Sequence, residues 1–190
     1  SLSYEQNLPT FYTSALLLFC AFLLAIIARA QPKKNPSYRL HWHGLALGFF
    51  YLAADELITI HEGLGFLKLS GLLYFSWVIP ASLILAFLGI AYFRFLLHLP
   101  RRTARIFIIA GAVYVLGAGG MELPLGYWTE RHGSDNLTYA IIDWIEETLE
   151  LIGLTLFAPA LIEYLANLQI SLHFSRPAKK AIKTSETGGL

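Results

Sequence analysis

The chain has 190 residues, of which 56% are hydrophobic and 14% charged, and its formal net charge at pH 7 is +1. A soluble domain of this length cannot bury so much apolar side chain, so the composition excludes an ordinary soluble protein and predicts a membrane protein. The single cysteine, Cys20, excludes a disulfide framework and a thiolate metal cluster.

In chain order, five apolar segments are long enough to cross a bilayer, at about 20 residues per span. The second contains several charged residues, so its prediction rests on its length and on the apolar residues around those charges. The chain is therefore predicted to be all-α, with one bundle of five transmembrane helices in residues 1–174 and a polar, disordered tail in 175–190. The predicted spans cover residues 10–30, 39–67, 72–99, 103–127 and 137–168.

Lysine and arginine are concentrated in the first and third connections and in the C-terminal tail, for example Lys33, Arg101 and Lys179. The positive-inside rule then predicts an external N-terminus and a cytoplasmic C-terminus. The predicted location is the inner, or plasma, membrane of a bacterium. Because the basic clusters flank apolar spans, topology explains them, and membrane lipid rather than nucleic acid is the expected surrounding partner.

Acidic residues are distributed in the opposite way, since nine of the thirteen carboxylates fall inside predicted spans, and eight of these nine, all except Glu163, lie toward the outer side of the membrane. Each costs about 2.5–3.5 kcal/mol at the centre of a membrane helix, and such residues normally face the bundle interior. No lysine or arginine lies at their depth in the spans, so they predict a functional site. The eight are Asp55, Glu56 and Glu62 in the second span, Glu122 in the fourth, and Asp143, Glu146, Glu147 and Glu150 in the fifth.

The predicted depth of these carboxylates supports a single site. With a rise of about 1.5 Å per residue, His61 and Glu62 lie roughly 6–8 Å below the outer membrane surface, Glu122 roughly 8 Å, and residues 143–150 roughly 8–18 Å. If the second span is one straight helix, Asp55 and Glu62 share a face. The expected bundle places spans 2, 4 and 5 around the site and spans 1 and 3 at the periphery.

Bound protons, metal cations or basic residues of another subunit would each neutralise this layer, and a metal cation held by carboxylates and one imidazole is favoured. Iron is the favoured divalent metal, with manganese, zinc and calcium as alternatives, at one or two ions per site. Glu56 is the expected acceptor for the second ring nitrogen of His61. The predicted ligands are Asp55, His61, Glu62, Glu122, Glu147 and Glu150, with Glu56, Asp143 and Glu146 as supporting or alternative ligands.

Two acidic motifs resemble those of a known group of proteins. They are Leu52-Ala53-Ala54-Asp55-Glu56-x4-His61-Glu62 and the later Glu146-Glu147-x2-Glu150-x2-Gly153. Together they resemble a group of uncharacterised bacterial multi-span membrane proteins that have a DE-x4-HE helix and a later EE-x2-E-x2-G helix. The resemblance covers two of the five predicted helices. It implies that those two helices form one site, and it implies no particular reaction.

The leading functional hypothesis is a membrane metalloprotein, an oxidoreductase that acts on a lipid-soluble substrate such as a quinone, a lipid or an isoprenoid. The first alternative is a proton or cation carrier that uses the intramembrane carboxylates. The second is an accessory subunit of a larger membrane complex or homo-oligomer. Several histidines, including His41 and His98, are expected at the cytoplasmic membrane surface, with a haem between spans 2 and 3 as the alternative. Tyr114 is expected to pack, with a position beside the site as the alternative.

Overall fold

The structure is a computed structural model that describes residues 8–31, 38–64 and 69–174, and the regular secondary structure in these ranges is helical. The all-α prediction is therefore confirmed, whereas the predicted tail over 175–190 lies outside the described residues. Short 3₁₀ turns at Ile60–Leu64 and Gly71–Leu73 lie between α2 and α3, and a π-helical segment at Leu116–Met121 joins α4 to α5. The α-helices are α1 (Leu8–Ala30), α2 (Arg39–Ile58), α3 (Val78–His98), α4 (Arg101–Val115), α5 (Glu122–His132) and α6 (Leu137–Phe174).

Four stretches of helix in the described residues are long and apolar enough to cross a membrane. They are Pro9–Ala30, Val78–His98, Arg101–His132 and Leu137–Leu168. The third stretch joins α4, the π-helical segment and α5, so one predicted span contains three helical elements. These four stretches correspond to the first, third, fourth and fifth predicted spans.

The second predicted span differs from the structure, because α2 ends at Ile58. Thr59 adopts a left-handed conformation with φ 48°, and its N–H donates to the Asp55 carbonyl at 2.7 Å. A left-handed residue of this kind ends an α-helix, and the chain continues into the 3₁₀ turn. The prediction of one continuous helix over residues 39–67 is therefore wrong.

Helix α1 is the most buried of the four candidate spans, with half of its most apolar stretch inside the protein. Leu17, Leu24 and Ile27 are fully buried, and Ser14 donates its hydroxyl to the Ala53 carbonyl of α2 at 2.9 Å. Helix α3 is the opposite case, since only 11% of its most apolar stretch is buried. The predicted peripheral position is confirmed for the third span and wrong for the first, because α1, which has no acidic residue, packs against both α2 and α6.

An aromatic core fills one end of the bundle. Trp42 of α2 is buried and packs edge-on against Phe95 of α3, with ring centroids 4.9 Å apart. His41 stacks on Phe95 at 5.5 Å, and His98 stacks on Tyr38 at 4.5 Å. Arg39 and Arg101 begin helices at this end, which we call the basic end.

A close backbone contact and an exposed ion pair mark the register between α4 and α6. Arg102 donates from Nη1 to Glu163 Oε1 at 2.9 Å near the basic end. Further along, Gly153 packs so tightly that an added Cβ would lie 2.8 Å from the Ala110 carbonyl and 2.9 Å from Tyr114 Cβ. The two helices therefore run antiparallel in a fixed register.

Candidate cation site

Glu122 of α5 and Asp143 of α6 lie at one level of the bundle. Glu122 follows Arg102 by 20 residues and Asp143 precedes Glu163 by 20 residues. Because Arg102 and Glu163 form the ion pair, Glu122 and Asp143 both lie about 30 Å from the basic end. Asp55 follows Arg39 by 16 residues, which corresponds to about 24 Å along α2. The acidic residues of these three helices therefore occupy one layer near the end of the bundle opposite the basic end.

Within this layer the carboxylates lie within electrostatic range of one another. Glu146 interacts with Glu122, Glu150, Asp143 and Glu56. Glu122 and Glu150 are almost fully enclosed, with 9% and 8% of their surface exposed. Glu56 in turn interacts with Glu147, Asp55 and His61. We call the set the acidic cluster; its members are Asp55, Glu56, His61, Glu122, Asp143, Glu146, Glu147 and Glu150.

The cluster contains every residue proposed from the sequence as a ligand or supporting residue except Glu62. The backbone of Glu62 lies in the 3₁₀ turn after α2, but its side chain lies outside the described part of the chain. Among the described residues, no three His, Cys, Asp or Glu side chains are placed to hold one metal ion together. The role of these residues as metal ligands therefore stays a prediction.

His61 is held by Asp55. Because the chain turns back after Ile58, the His61 backbone N–H donates to Asp55 Oδ1 at 2.7 Å, and ring Nδ1 lies 2.9 Å from Asp55 Oδ2. The His61 ring also packs against Trp77, with centroids 4.6 Å apart. The contact between Asp55 and ring Nδ1 was not expected, and the expectation that Glu56 accepts from a ring nitrogen of His61 stays a prediction. In a helix continuing past Ile58, the side chains of Asp55 and His61 would point about 120° apart and could not meet.

Glu146 contains a buried oxygen, Oε2, that has no hydrogen-bond partner in the described part of the chain. Buried polar atoms are rarely left in this state, because their lost hydration is not replaced. The neighbouring carboxylates cannot supply a hydrogen while they are ionised. A proton or a metal cation bound at this oxygen would replace the hydration that it loses on burial.

The family model described as "Domain of unknown function (DUF8692)" matches residues 2–163 of the chain. The chain belongs to this family. The match includes every helix that carries a member of the acidic cluster, and the family description assigns no activity. No curated protein and no solved structure matches the chain.

Of two further features of this family member's site, the first was only the less favoured prediction and the second was not foreseen from the sequence. Tyr114 lies within electrostatic range of Glu150, Glu56 and Asp55, although a packing role is the favoured prediction. The π-helical segment ends directly before Glu122, and such segments occur often at functional sites. The sequence signal for the π-helical segment is a group of glycines, Gly117, Gly119 and Gly120. This signal is ambiguous, because glycine occurs both where helices pack closely and where a helix is irregular.

The glycines of this segment do not all serve packing. A Cβ on Gly117 would lie 2.9 Å from the Glu146 carbonyl and 3.1 Å from Glu150 Cγ, whereas Gly119 has open space. Gly117 therefore lets the backbone before Glu122 approach the part of α6 that carries Glu146 and Glu150. The contact of Trp77 with His61 could not be predicted from the sequence. An aromatic residue near the start of a predicted span is common and does not indicate a site.

Proposed function

We propose that the chain is an integral membrane metalloprotein whose acidic cluster binds a divalent cation near one membrane surface. The observation that carries this proposal is the environment of Glu146. Its Oε2 is buried without a hydrogen-bond partner among the described residues, and Glu122, Glu150, Asp143 and Glu56 lie within electrostatic range. A divalent cation would offset the mutual repulsion of these carboxylates and satisfy the buried oxygen.

The donor set supports an oxygen-rich metal site. Carboxylates from several helices together with one imidazole suit iron or manganese, and calcium accepts the carboxylates alone. Glu147 and Glu150 are spaced as the carboxylates that project from one helix into two-metal sites of helix bundles. Coordination by three or more groups requires movement of the described side chains or participation of Glu62. We favour iron at one or two ions per chain.

An oxidoreductase acting on a lipid-soluble substrate is the activity we propose for this site. The cluster lies at the end of apolar helices, where a cation can enter from water and a quinone, lipid or isoprenoid can enter from the bilayer. Helix α2 has 20 residues, or about 30 Å. We propose that it also crosses the membrane despite its charges, which makes five spans with α2 second in chain order. In this proposal the basic end faces the cytoplasm of a bacterium, and the acidic cluster faces outward.

Metal analysis of the full chain purified in mild detergent tests the proposal. We expect about one or two equivalents of a divalent metal to co-purify, because the cluster supplies several anionic ligands. Glu147→Ala should lose most of that metal. The matched control is Glu163→Ala, which removes a carboxylate of the same helix at the basic end and should keep it. Wild-type protein that is stable without metal and unchanged by added Fe, Mn, Zn or Ca would refute the metal site.

A proton or cation carrier is the second candidate, and it is favoured by the same buried oxygen, since a carboxylic acid can satisfy it with a proton. Proteoliposomes should then show cation-dependent or proton flux that Asp55→Asn abolishes, whereas a closed metal site predicts no flux. Flux that survives the substitution would count against the carrier. If both metal and flux are absent, a role as a subunit of a larger membrane complex becomes the best account.

A further inference from the structure

We propose that the exposed face of α4 at the basic end binds an anionic phospholipid of the bilayer. Arg101 and Arg105 would hold its phosphate, and an acyl chain would lie on the apolar residues that follow them on the same face. This second site lies at the end of the bundle opposite the acidic cluster. It requires that α4 crosses the bilayer, but it does not depend on a cation at the acidic cluster.

The arginines in the first turns of α4 differ in their partners. Arg102 donates to Glu163 at 2.9 Å, and Glu163 is the one acidic residue that the described part of the chain has at the basic end. Arg101 and Arg105 are exposed, and neither forms an ion pair with a described residue. The positive-inside rule explains why arginines lie at this end, but it assigns them no partner. Two guanidinium groups of one helix are therefore available to an anion from the surroundings.

The two arginines share one face of α4, because residues four apart in a helix lie one above the other. The opposite face is buried in the bundle and carries Phe107 and Ala110. Beyond Arg105 the exposed face is apolar, and Ile108 and Ile109 are each 55% exposed. The exposed apolar residues of this face are Ile108, Ile109, Ala112 and Leu116. One face of the helix thus changes from cationic to apolar along its length, as a phospholipid changes from headgroup to acyl chain.

The spacing along this face matches one leaflet of a bilayer. Arg105 lies about 6 Å further along α4 than Arg101, and the headgroup layer on each side of the hydrocarbon core is about 5–7 Å thick. Leu116 lies about 16 Å beyond Arg105, which is close to half of the core thickness of about 30 Å. A phosphate at the level of the two arginines would therefore place an acyl chain along the apolar part of the face.

The chemistry of the two side chains favours an anionic lipid. Guanidinium groups bind phosphate oxygens through short, charge-assisted hydrogen bonds, often in pairs. Phosphatidylglycerol offers a phosphate without a cationic group, whereas phosphatidylcholine adds an ammonium group that the arginines would repel. Basic residues beside a transmembrane helix attract anionic headgroups for the same reason. The face should therefore distinguish these two lipids even when their acyl chains are identical.

Native mass spectrometry of the full chain in mild detergent, titrated with lipid, tests the inference. We expect one phosphatidylglycerol molecule per chain to bind about tenfold or more tightly than phosphatidylcholine with the same acyl chains. Arg105→Gln should weaken phosphatidylglycerol binding about fivefold, and a second substitution, Arg101→Gln, should weaken it further by a similar factor. The matched control is Arg29→Gln, which removes an exposed arginine from the last turn of α1 at the same end and should weaken binding less than about twofold.

Each result decides for or against a lipid site on α4. Equal binding of the two lipids by the wild-type chain would overturn the inference, even if a variant failed to fold. Equal losses from Arg29→Gln and Arg105→Gln would also overturn it, because they would indicate diffuse attraction to the whole basic end. Inorganic phosphate at the concentration of the lipid should not displace phosphatidylglycerol. If it does, the arginines bind free phosphate rather than a lipid. None of these results depends on metal at the acidic cluster, so the proposed function can fail while the lipid site stands.

Discussion

Glu146 illustrates how the surroundings of a single residue determine the cost of its charge. Its carboxylate lies beside Glu122, Glu150, Asp143 and Glu56, and its Oε2 lies in a buried position without a hydrogen-bond partner among the described residues. Like charges repel more strongly where water is excluded, because the effective dielectric constant is low. Without a bound cation, Glu146 should therefore reduce the stability of the fold that contains it.

Glu146→Gln should stabilise the metal-free protein, because it removes one negative charge and keeps the size of the side chain. We expect a gain of about 1 kcal/mol or more, which corresponds to a rise of roughly 2–4 °C in Tm. Thermal unfolding followed by circular dichroism in detergent measures this. The control, Glu163→Gln, alters an exposed ion pair with Arg102 and should shift stability by at most about 1 kcal/mol. A lower Tm for Glu146→Gln would show that this carboxylate does not repel its neighbours.

At the scale of helices, the site depends on how closely α4 and α6 approach each other. Gly153 and Gly117 each allow backbone contact at positions where a Cβ would lie within 3.0 Å of a carbonyl oxygen. Together with the Arg102–Glu163 ion pair, these contacts fix the register that brings Glu122 to the level of Asp143. The position of the carboxylates is thus a consequence of helix packing along the whole pair.

Gly153→Ala should destabilise the protein by about 1–3 kcal/mol, because its methyl group would overlap the Ala110 carbonyl and Tyr114 Cβ. The control is Gly111→Ala on the facing helix, where an added Cβ meets nothing within 4 Å. That substitution should be neutral or stabilising by up to about 1 kcal/mol, since alanine favours the helix. Thermal unfolding of both variants measures the difference. Equal stability of the two variants would contradict the close packing of α4 and α6.

For the whole molecule, helix length decides where the acidic cluster lies relative to the bilayer. The continuous stretch Arg101–His132 has 32 residues, or about 48 Å, whereas the hydrocarbon core is about 30 Å thick. If Arg101 lies at one membrane surface, Glu122 lies close to the other surface and α5 extends into water. Arg131 covers the ring of Tyr127 at 3.7 Å in this extension, an arrangement suited to the membrane surface.

Cysteine labelling tests the proposed orientation. In a Cys20→Ala background, a membrane-impermeant maleimide should label Asp135→Cys in intact spheroplasts. It should label Arg101→Cys only after the membrane is disrupted, because Arg101 begins α4 at the basic end. Both positions are exposed, so differences in labelling report the membrane rather than burial in the protein. The reverse pattern would invert the topology, and labelling of both positions in intact spheroplasts would contradict a membrane-spanning α4.

The sequence alone predicted most helix positions and the presence of helices long and apolar enough to cross a membrane, because hydropathy and length are local properties. The predicted span 10–30 corresponds to Leu8–Ala30, and the predicted span 103–127 lies within Arg101–His132. It also identified the acidic layer, since the rise per residue is constant and the depth of Glu122 or Glu150 follows from counting. Confirmation of these residues as metal ligands still requires the experiments above.

Only the tertiary structure decided how the residues of that layer meet. Nothing in the local pattern of residues 39–67 shows that α2 ends at Ile58, because the same apolar residues suit a longer helix. The turn at Thr59 and the packing of Trp77 bring His61 back to Asp55, contacts that depend on segments outside the helix itself. Likewise, α1 is buried because α2 and α6 pack around it. When several helices are equally apolar, the sequence of each one does not show which of them lies inside the bundle, because that depends on how they are arranged.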